Sequence, residues 1–441
     1  MGSLSLWRRT SQILFLVLFI ILFYYTQYPL DFTHTNIFVR VSPLILIINT
    51  LTTRSVVIRL LPALFLLIAT VFLGRFFCGW VCPVGTVSDL LPRTKKRFSS
   101  FYKLKYYFLI FLAVLAVFGF QVLVVSDPLV IFTRSLTFVT QKTVPVMLIL
   151  IVVVVLTLGE RFWCRVICPL GALLGAASCY KPVGIEVGDS CTECGLCNRV
   201  CPMDAIQNCT VKNSECTLCM VCVDKCSRGA LTLTLGKTRQ KVRFESRRTF
   251  LKAGVAAGAA LALFPLLTRR RVTSAENEVI RPPGALREEN FLSVCVRCGE
   301  CMRVCPSRGL RPVLEVSLSR VYTPQLVPRI GECQLCMLCW QVCPTGALVE
   351  VDPTEMKLGT ASINRDTCLE WRHEQCLVCQ EVCPYQAVDI VETGGRGRGG
   401  GGGNRGPTVN RPLCAGCGAC EHHCPVEPSA IVVTPEGERR Y

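Results

Sequence analysis

Histidine is nearly missing from this 441-residue chain: there are four, His34, His373, His422 and His423, and none stands in a long apolar run. A buried b-type haem needs axial side chains inside the apolar part, so none is expected. No C-x-x-C-H occurs, which removes c-type haem as well. The run GGRGRGGGGGNRG between Gly394 and Gly406 contains a formal G-x-G-x-x-G, but no helix pattern follows it to aim amides at a phosphate, so it reads as a flexible loop. Haem, flavin, nicotinamide and nucleotide are thereby set aside. Acidic residues are scarce, 31 against 48 Lys plus Arg, and the formal charge of +17 would ordinarily point to nucleic acid or a membrane surface. Abundant instead are cysteine, with 30 residues, and apolar residues, at 51%.

The apolar residues concentrate in the first 175 positions and raise the mean hydropathy of the whole chain to +0.43. Four runs, 11–28, 56–76, 105–125 and 143–160, are close to the length of about 20 residues that crosses a bilayer. The run Ile37 to Leu51 is broken by Ser42 and Pro43 and reads as interfacial or re-entrant. Arg8 and Arg9 before the first run, and Arg93, Lys95, Lys96, Arg97, Lys103 and Lys105 between the second and third, place both stretches on the cytoplasmic side. Arg40, Arg54 and Arg59 weaken the contrast on the other side. An even number of spans returns the chain to the cytoplasm at Arg161 and Arg165, so 181–240 is expected there.

Beyond the spans, C-x-x-C-x-x-C-x-x-x-C occurs five times: Cys191, Cys194, Cys197, Cys201; Cys216, Cys219, Cys222, Cys226; Cys295, Cys298, Cys301, Cys305; Cys333, Cys336, Cys339, Cys343; and Cys414, Cys417, Cys420, Cys424. A sixth copy is stretched: Cys368, Cys376, Cys379, Cys383. Close turns wrap three thiolates around one [4Fe-4S] cube, and the fourth, usually followed by proline, binds the neighbouring cube. Paired C-x-x-C zinc sites lack the distant Cys-Pro, and a disulfide framework would not repeat so regularly. Six clusters on these 24 cysteines are expected. At about −2 each they bring the +17 down to about +5, much of it loop charge, so no nucleic acid is expected as a partner.

In the first cysteine region, Cys191, Cys194 and Cys197 are expected to share Cys226, and Cys216, Cys219 and Cys222 to share Cys201; Ser227 stands where proline is usual. Cys179 and Cys209 are singletons, read as small buried residues. Cys78 and Cys82, and Cys164 and Cys168, form two C-x-x-x-C-P motifs at the inner ends of the second and fourth runs. At i and i+4 on a helix each pair shares a face, so the two ends can present four thiols to one another. A metal, a cluster, a redox-active thiol pair and plain packing all stay open for them.

Arg247 and Arg248 in SRRTFLKAG, Ser246 to Gly254, with the apolar run 253–267 behind them, match a twin-arginine export signal. Folded cargo would explain it: a domain already carrying clusters cannot be threaded unfolded without losing them. The motif order then resembles a known family. Residues up to about 235, with four spans, paired C-x-x-x-C-P and a two-cluster module, resemble the NapH-type membrane ferredoxins, and the remainder resembles the four-cluster NapG and MauM ferredoxins. The resemblance implies a quinol dehydrogenase component of the bacterial inner membrane. It would draw electrons from the quinone pool and pass them to a periplasmic reductase, of nitrate-reductase type, or another electron carrier, with the twin-arginine translocase as a further partner. The alternative is a maturation or reactivation factor for a periplasmic metalloenzyme.

The expected fold is an α-helical membrane domain of four transmembrane helices, with a fifth open at 253–267, joined to α+β bacterial ferredoxin-like [4Fe-4S] modules. Its parts are the membrane domain 1–180, a cytoplasmic two-cluster module 181–240, the signal or fifth segment 241–275 with Ala275 as a cleavage candidate, and a periplasmic four-cluster domain 276–441. The arrangement familiar from four-cluster electron-transfer subunits would join the two outer units to each other and the two inner units to each other: Cys295, Cys298, Cys301 with Cys424; Cys414, Cys417, Cys420 with Cys305; Cys333, Cys336, Cys339 with Cys383; and Cys368, Cys376, Cys379 with Cys343. Sequential pairing stays open. Asp31, His34 and Asp127 could accept quinol protons but read better as solvated loop positions, and no catalytic residue is assigned.

Overall fold

The computed structural model describes residues 3–25, 37–91, 102–235, 279–314, 319–393 and 404–441. Asp31, His34, the twin-arginine stretch, the run 253–267, Ala275 and the glycine-rich run as far as 403 lie outside the described residues. The chain divides into two compact units, Met1–Leu267 and Thr268–Tyr441.

Proline sets most helix starts in the first unit. After α1 (Ser3–Tyr25), helices α2 (Pro43–Thr53), α3 (Pro62–Leu73), α5 (Pro83–Leu90), α7 (Pro128–Thr140) and α9 (Pro169–Ala177) each begin on proline, whose fixed φ and missing N–H suit the first helical position. Between them lie α4 (Phe76–Trp80), α6 (Leu104–Val117) and α8 (Val146–Leu158). Gly74 and Gly159 stop α3 and α8 with positive φ, just ahead of the two C-x-x-x-C-P motifs.

Helices α1, α3, α6 and α8 fall on the four predicted runs. Among the described residues, Leu4–Tyr25 alone is long and apolar enough to cross a membrane by length and composition; the others are shorter apolar helices. Helix α2 occupies the run expected to be interfacial. Helix α7 was not expected at all, although Asp-Pro was its signal: Asp127 caps it, accepting from the amides of Leu129 and Val130 at 2.8 and 3.3 Å. Asp127 is thus not a solvated loop residue. It is fully buried and also accepts a 2.7 Å bond from the Ser42 hydroxyl, because the cap closes an otherwise buried helix end.

The first cysteine-rich module packs within the same unit as these helices. Strand β1 (Val183–Val187) pairs antiparallel with β4 (Leu231–Leu235), so the module's two ends close on one another. Inside are the hairpin of β2 (Ile206–Gln207) and β3 (Thr210–Val211) and the short helices α10 (Leu196–Val200) and α11 (Val221–Lys225), around Ile185, Met203, Ile206, Val211 and Leu231.

The second unit repeats the plan. Helix α12 (Glu288–Val294) precedes four short helices, α13 (Glu300–Val304), α14 (Leu338–Gln341), α15 (Val378–Glu381) and α16 (Ala419–His422), each carrying the third cysteine of its unit. The antiparallel pairs are β5 (Leu310–Pro312) with β6 (Pro324–Leu326), β7 (Thr360–Ile363) with β10 (Ile431–Thr434), and β8 (Val388–Thr393) with β9 (Asn404–Val409).

Candidate iron–sulfur centres

In all five regular units the residues flanking the middle cysteine are left-handed: Glu193 and Gly195, Leu218 and Met220, Arg297 and Gly299, Leu335 and Met337, Gly416 and Gly418. Left-handed backbone at Leu, Met, Glu or Arg costs energy and needs a reason. Alternating left- and right-handed residues turn successive N–H groups inward and make a concavity that suits an anionic cluster. Gly416 is held for a second reason: a Cβ there would lie 2.4 Å from the amide nitrogen of Gly359.

A second regularity follows the remote cysteine. Three residues after it stand Asp204, Gly229, Arg308, Gly346 and Gln386, all at positive φ. This bend delivers the next amide to sulfur: Ala205 to Cys201 Sγ and Ala387 to Cys383 Sγ, both at 3.3 Å. The Ala230 amide does the same at Cys226 and is the main reason that thiol is lowered below its usual range. Small residues at this fourth position are legible in the sequence as C-P-x-x-Ala, a pattern that spacing of cysteines alone does not reveal.

Five sets of four thiols come together in the structure. Cys201 joins Cys216, Cys219 and Cys222, as expected. Cys197 and Cys226 pack against one common core. In the second unit the expected pairing of outer unit with outer and inner with inner is corrected to a sequential one. Cys295, Cys298 and Cys301 surround a cavity with Cys343, and Cys305 faces Cys333, Cys336 and Cys339. Cys368, Cys376 and Cys379 line another with Cys424, and Cys414, Cys417 and Cys420 a third with Cys383. Adjacent units meet because β5 and β6 lie between the first two and β8 and β9 between the last two, folding each linker back on itself. The stretched unit closes through Trp371, buried under Gly406 with its Nε1 donating to Pro407 O at 3.1 Å, while Glu370 accepts the Cys376 amide at 2.7 Å.

These sets fit a cubane better than a single ion. No three cysteine Sγ atoms among the described residues lie mutually within 4.8 Å, whereas thiolates on one zinc stand about 3.8 Å apart. Burial first, then neighbouring thiols, push Cys201 and Cys379 up to about 12, so such sets ionise together only around a cationic centre. Cys179 and Cys209 are both half-exposed, which corrects the expectation of burial. Cys209 sits at positive φ in the β2–β3 turn, 3.6 Å from Cys191 in Sγ–Sγ distance, because the hairpin folds over that site.

Cys78, Cys82, Cys164 and Cys168 are all buried and stand within electrostatic reach of one another. The i, i+4 reasoning needs correction, since the helix breaks inside each motif. Cys82 and Cys168 are the N-caps of α5 and α9, with the motif's proline at N1, and the Gly171 amide donates to Cys168 Sγ at 3.2 Å. Burial above all raises Cys82 and Cys168 well above the usual thiol range.

This quartet abuts the first module. Trp80 Nε1 donates to Leu218 O at 3.1 Å, and a Cβ on Gly79 would come within 2.8 Å of Thr217 O. Arg161 lies in electrostatic reach of both Cys164 and Cys219, and it forks onto Asp89 at 2.6 Å for each bond. Below it, Glu215 accepts from Arg75 at 2.7 Å, from Tyr106 at 2.9 Å and from Lys105, and Arg165 pairs with Asp204.

Burial alone would push the Glu215 carboxyl up, but Lys105 and then Arg75 more than reverse this and hold it below the ordinary range. A depressed value contributes stability above the unfolded-chain value of about 4.3 and loses it as pH falls through the lower folded value. Between pH 5 and 3 the thermal midpoint of wild type is therefore expected to fall more steeply than that of Glu215→Gln, as measured by calorimetry; parallel curves would contradict the linkage.

Family models described as 4Fe-4S binding domains match residues 56–100 with 142–178, 188–207 and 213–229, and a 4Fe-4S dicluster domain matches 294–347 and 372–427. The methylamine utilization ferredoxin-type protein MauM of Methylorubrum extorquens is 37% identical over 205 residues, 44% of this chain and 91% of that protein. MauM of Methylobacillus flagellatus is 33% identical over 220 residues, 47% of this chain and 89% of that protein. The ferredoxin-type protein NapG of Escherichia coli K12 is 35% identical over 198 residues, 43% and 85% of the respective chains. Iron–sulfur electron transfer through several 4Fe-4S modules is thereby established as the chemistry of this chain.

Proposed function

Because the chain belongs to the family of MauM- and NapG-type ferredoxin proteins, we propose that it relays electrons from membrane quinol to an acceptor enzyme outside the cytoplasmic membrane, such as one of nitrate-reductase type. All 24 cysteines of the six units serve as ligands in this reading. A [4Fe-4S] centre held by such thiolates supplies single-electron exchange. The residues around it set its environment: paired left-handed turns aim amides inward, and the amide four residues after Cys201, Cys226 and Cys383 donates to sulfur.

One observation carries the relay: the C-x-x-x-C-P quartet is docked on the Cys216–Cys222 loop through Trp80, Gly79 and Arg161. Thiols at the ends of apolar helices thus adjoin a cluster site. The NapH-type membrane part belongs to the same proposal. It is supported by apolar side chains turned outward on α1, α3 and α8, such as Leu14, Phe65, Phe72 and Val153, exposed by 48–77%. Residues 181–240 would lie in the cytoplasm. The second unit would be carried out by the twin-arginine stretch and anchored or released there.

Anaerobic mixing of the detergent-solubilised chain with a menaquinol analogue tests the relay. Electron paramagnetic resonance is expected to show reduced-cluster signals that grow with quinol. Clusters that stay oxidised throughout would overturn it.

A further inference from the structure

The second unit holds a group of side chains that the thiol sites do not use. Glu332, just before Cys333, and His422 and His423, just before Cys424, bring one donor atom each within 4.8 Å of the other two. Nε2 of His422 and of His423 lie 3.6 and 3.7 Å from the same carboxylate oxygen, Oε2 of Glu332. At these lengths neither contact is a hydrogen bond. That oxygen is shut off from solvent and has no hydrogen-bond donor, a costly state for an anionic atom.

The tautomer sharpens the conflict. Nδ1 of His422 stands 3.3 Å from the carbonyl oxygen of Arg329, which can only accept, so Nδ1 carries the hydrogen. In a neutral ring Nε2 then presents a lone pair to the lone pairs of Oε2. A cation between them would remove this repulsion. The Nδ1–carbonyl bond is also the contact by which metal-binding histidines are usually oriented. Two imidazoles and a carboxylate around an ion at ordinary bond lengths stand about 3.4 Å apart when tetrahedral, close to the spacings here.

We infer that Glu332, His422 and His423 form a mononuclear site for a divalent transition-metal ion of the Zn²⁺ type, separate from the iron–sulfur thiols. Glu332 comes from the loop that starts one cluster site, and the histidines come from helix α16 and its end, which lead into another. The ion would therefore clamp the two halves of the unit, alongside the Cys333 amide bond to Cys417 O at 2.8 Å. The exposed face of His423 leaves an outward position for water.

The full-length chain, with its iron and sulfide quantified, is equilibrated with zinc chloride, passed through a desalting column and analysed for zinc and iron by mass spectrometry. Wild type is expected to retain about one zinc per chain. His423→Ala and Glu332→Gln are expected to lower zinc affinity at least about tenfold with iron unchanged, and His423→Asp to keep it. Wild type that retains no zinc, or variants that retain as much as wild type, would overturn the site; the second result would place the zinc on cysteines. Because His423 is half-exposed, its variants keep the test valid if Glu332→Gln loses iron through misfolding.

Discussion

Glu215→Ala is expected to destabilise the seating of the first cysteine module by about 3–5 kcal/mol. The size follows from what remains: Arg75 and Lys105, both fully buried, lose the carboxylate that compensates them. Each is charged in water and neither can reach solvent, so the loss is that of a broken buried pair and not of a surface one. Hydrogen exchange of peptides spanning 210–226 should accelerate at least about a hundredfold, since each 1.4 kcal/mol is worth about a factor of ten. Replacing Arg75 and Lys105 together with methionine in the same chain should recover most of the protection, because an apolar set of similar volume carries no stranded charge. Wild-type exchange in Glu215→Ala would mean that the apolar contacts around Trp80 hold the module unaided.

The second large effect tests the pairing. Cys343→Ser is expected to lose about four iron atoms, those of one cluster, and to free the thiols of Cys295, Cys298 and Cys301 for alkylation. Those of Cys368, Cys376 and Cys379 should stay protected. Cys424→Ser should do the reverse. The reason is the cavity membership of the two residues: Cys343 faces the first unit of the second region, and Cys424 faces the stretched one. Alkylation of Cys368, Cys376 and Cys379 in Cys343→Ser would restore the arrangement that joins the two inner units to each other.

The difference between these two results marks what could be read without coordinates. That thiols at 295, 298 and 301 converge was legible, because three residues per step with two tight turns leave the chain little other choice. Their fourth partner was not. It depended on the β5–β6 and β8–β9 pairs, which turn the chain back between units. The analogy with other four-cluster proteins pointed the wrong way, since distance along the chain says nothing about which loop is the shorter path through space.

The C-x-x-x-C-P motifs show the same division from another side. Their convergence was foreseen, but on the premise of one continuous helix face. The proline instead begins a new helix, and the second cysteine caps it. Asp127 was misjudged for a related reason: Asp-Pro read as a loop although it is an N-cap followed by N1 proline. The partners of Glu215 had no sequence signal, as Arg75, Lys105 and Tyr106 lie more than a hundred residues away.

The amino-acid order by itself determined the chemistry: thiol triplets at spacing three and a proline-marked fourth. These are local properties, settled by covalent geometry within about ten residues. Only the tertiary structure decided which fourth thiol completes each set, that the C-x-x-x-C-P ends rest on the first module, and that Glu332 meets two histidines some ninety residues on. Such long-range contacts depend on burial and loop closure, whose balance is summed over the whole fold and is written in no short stretch of it.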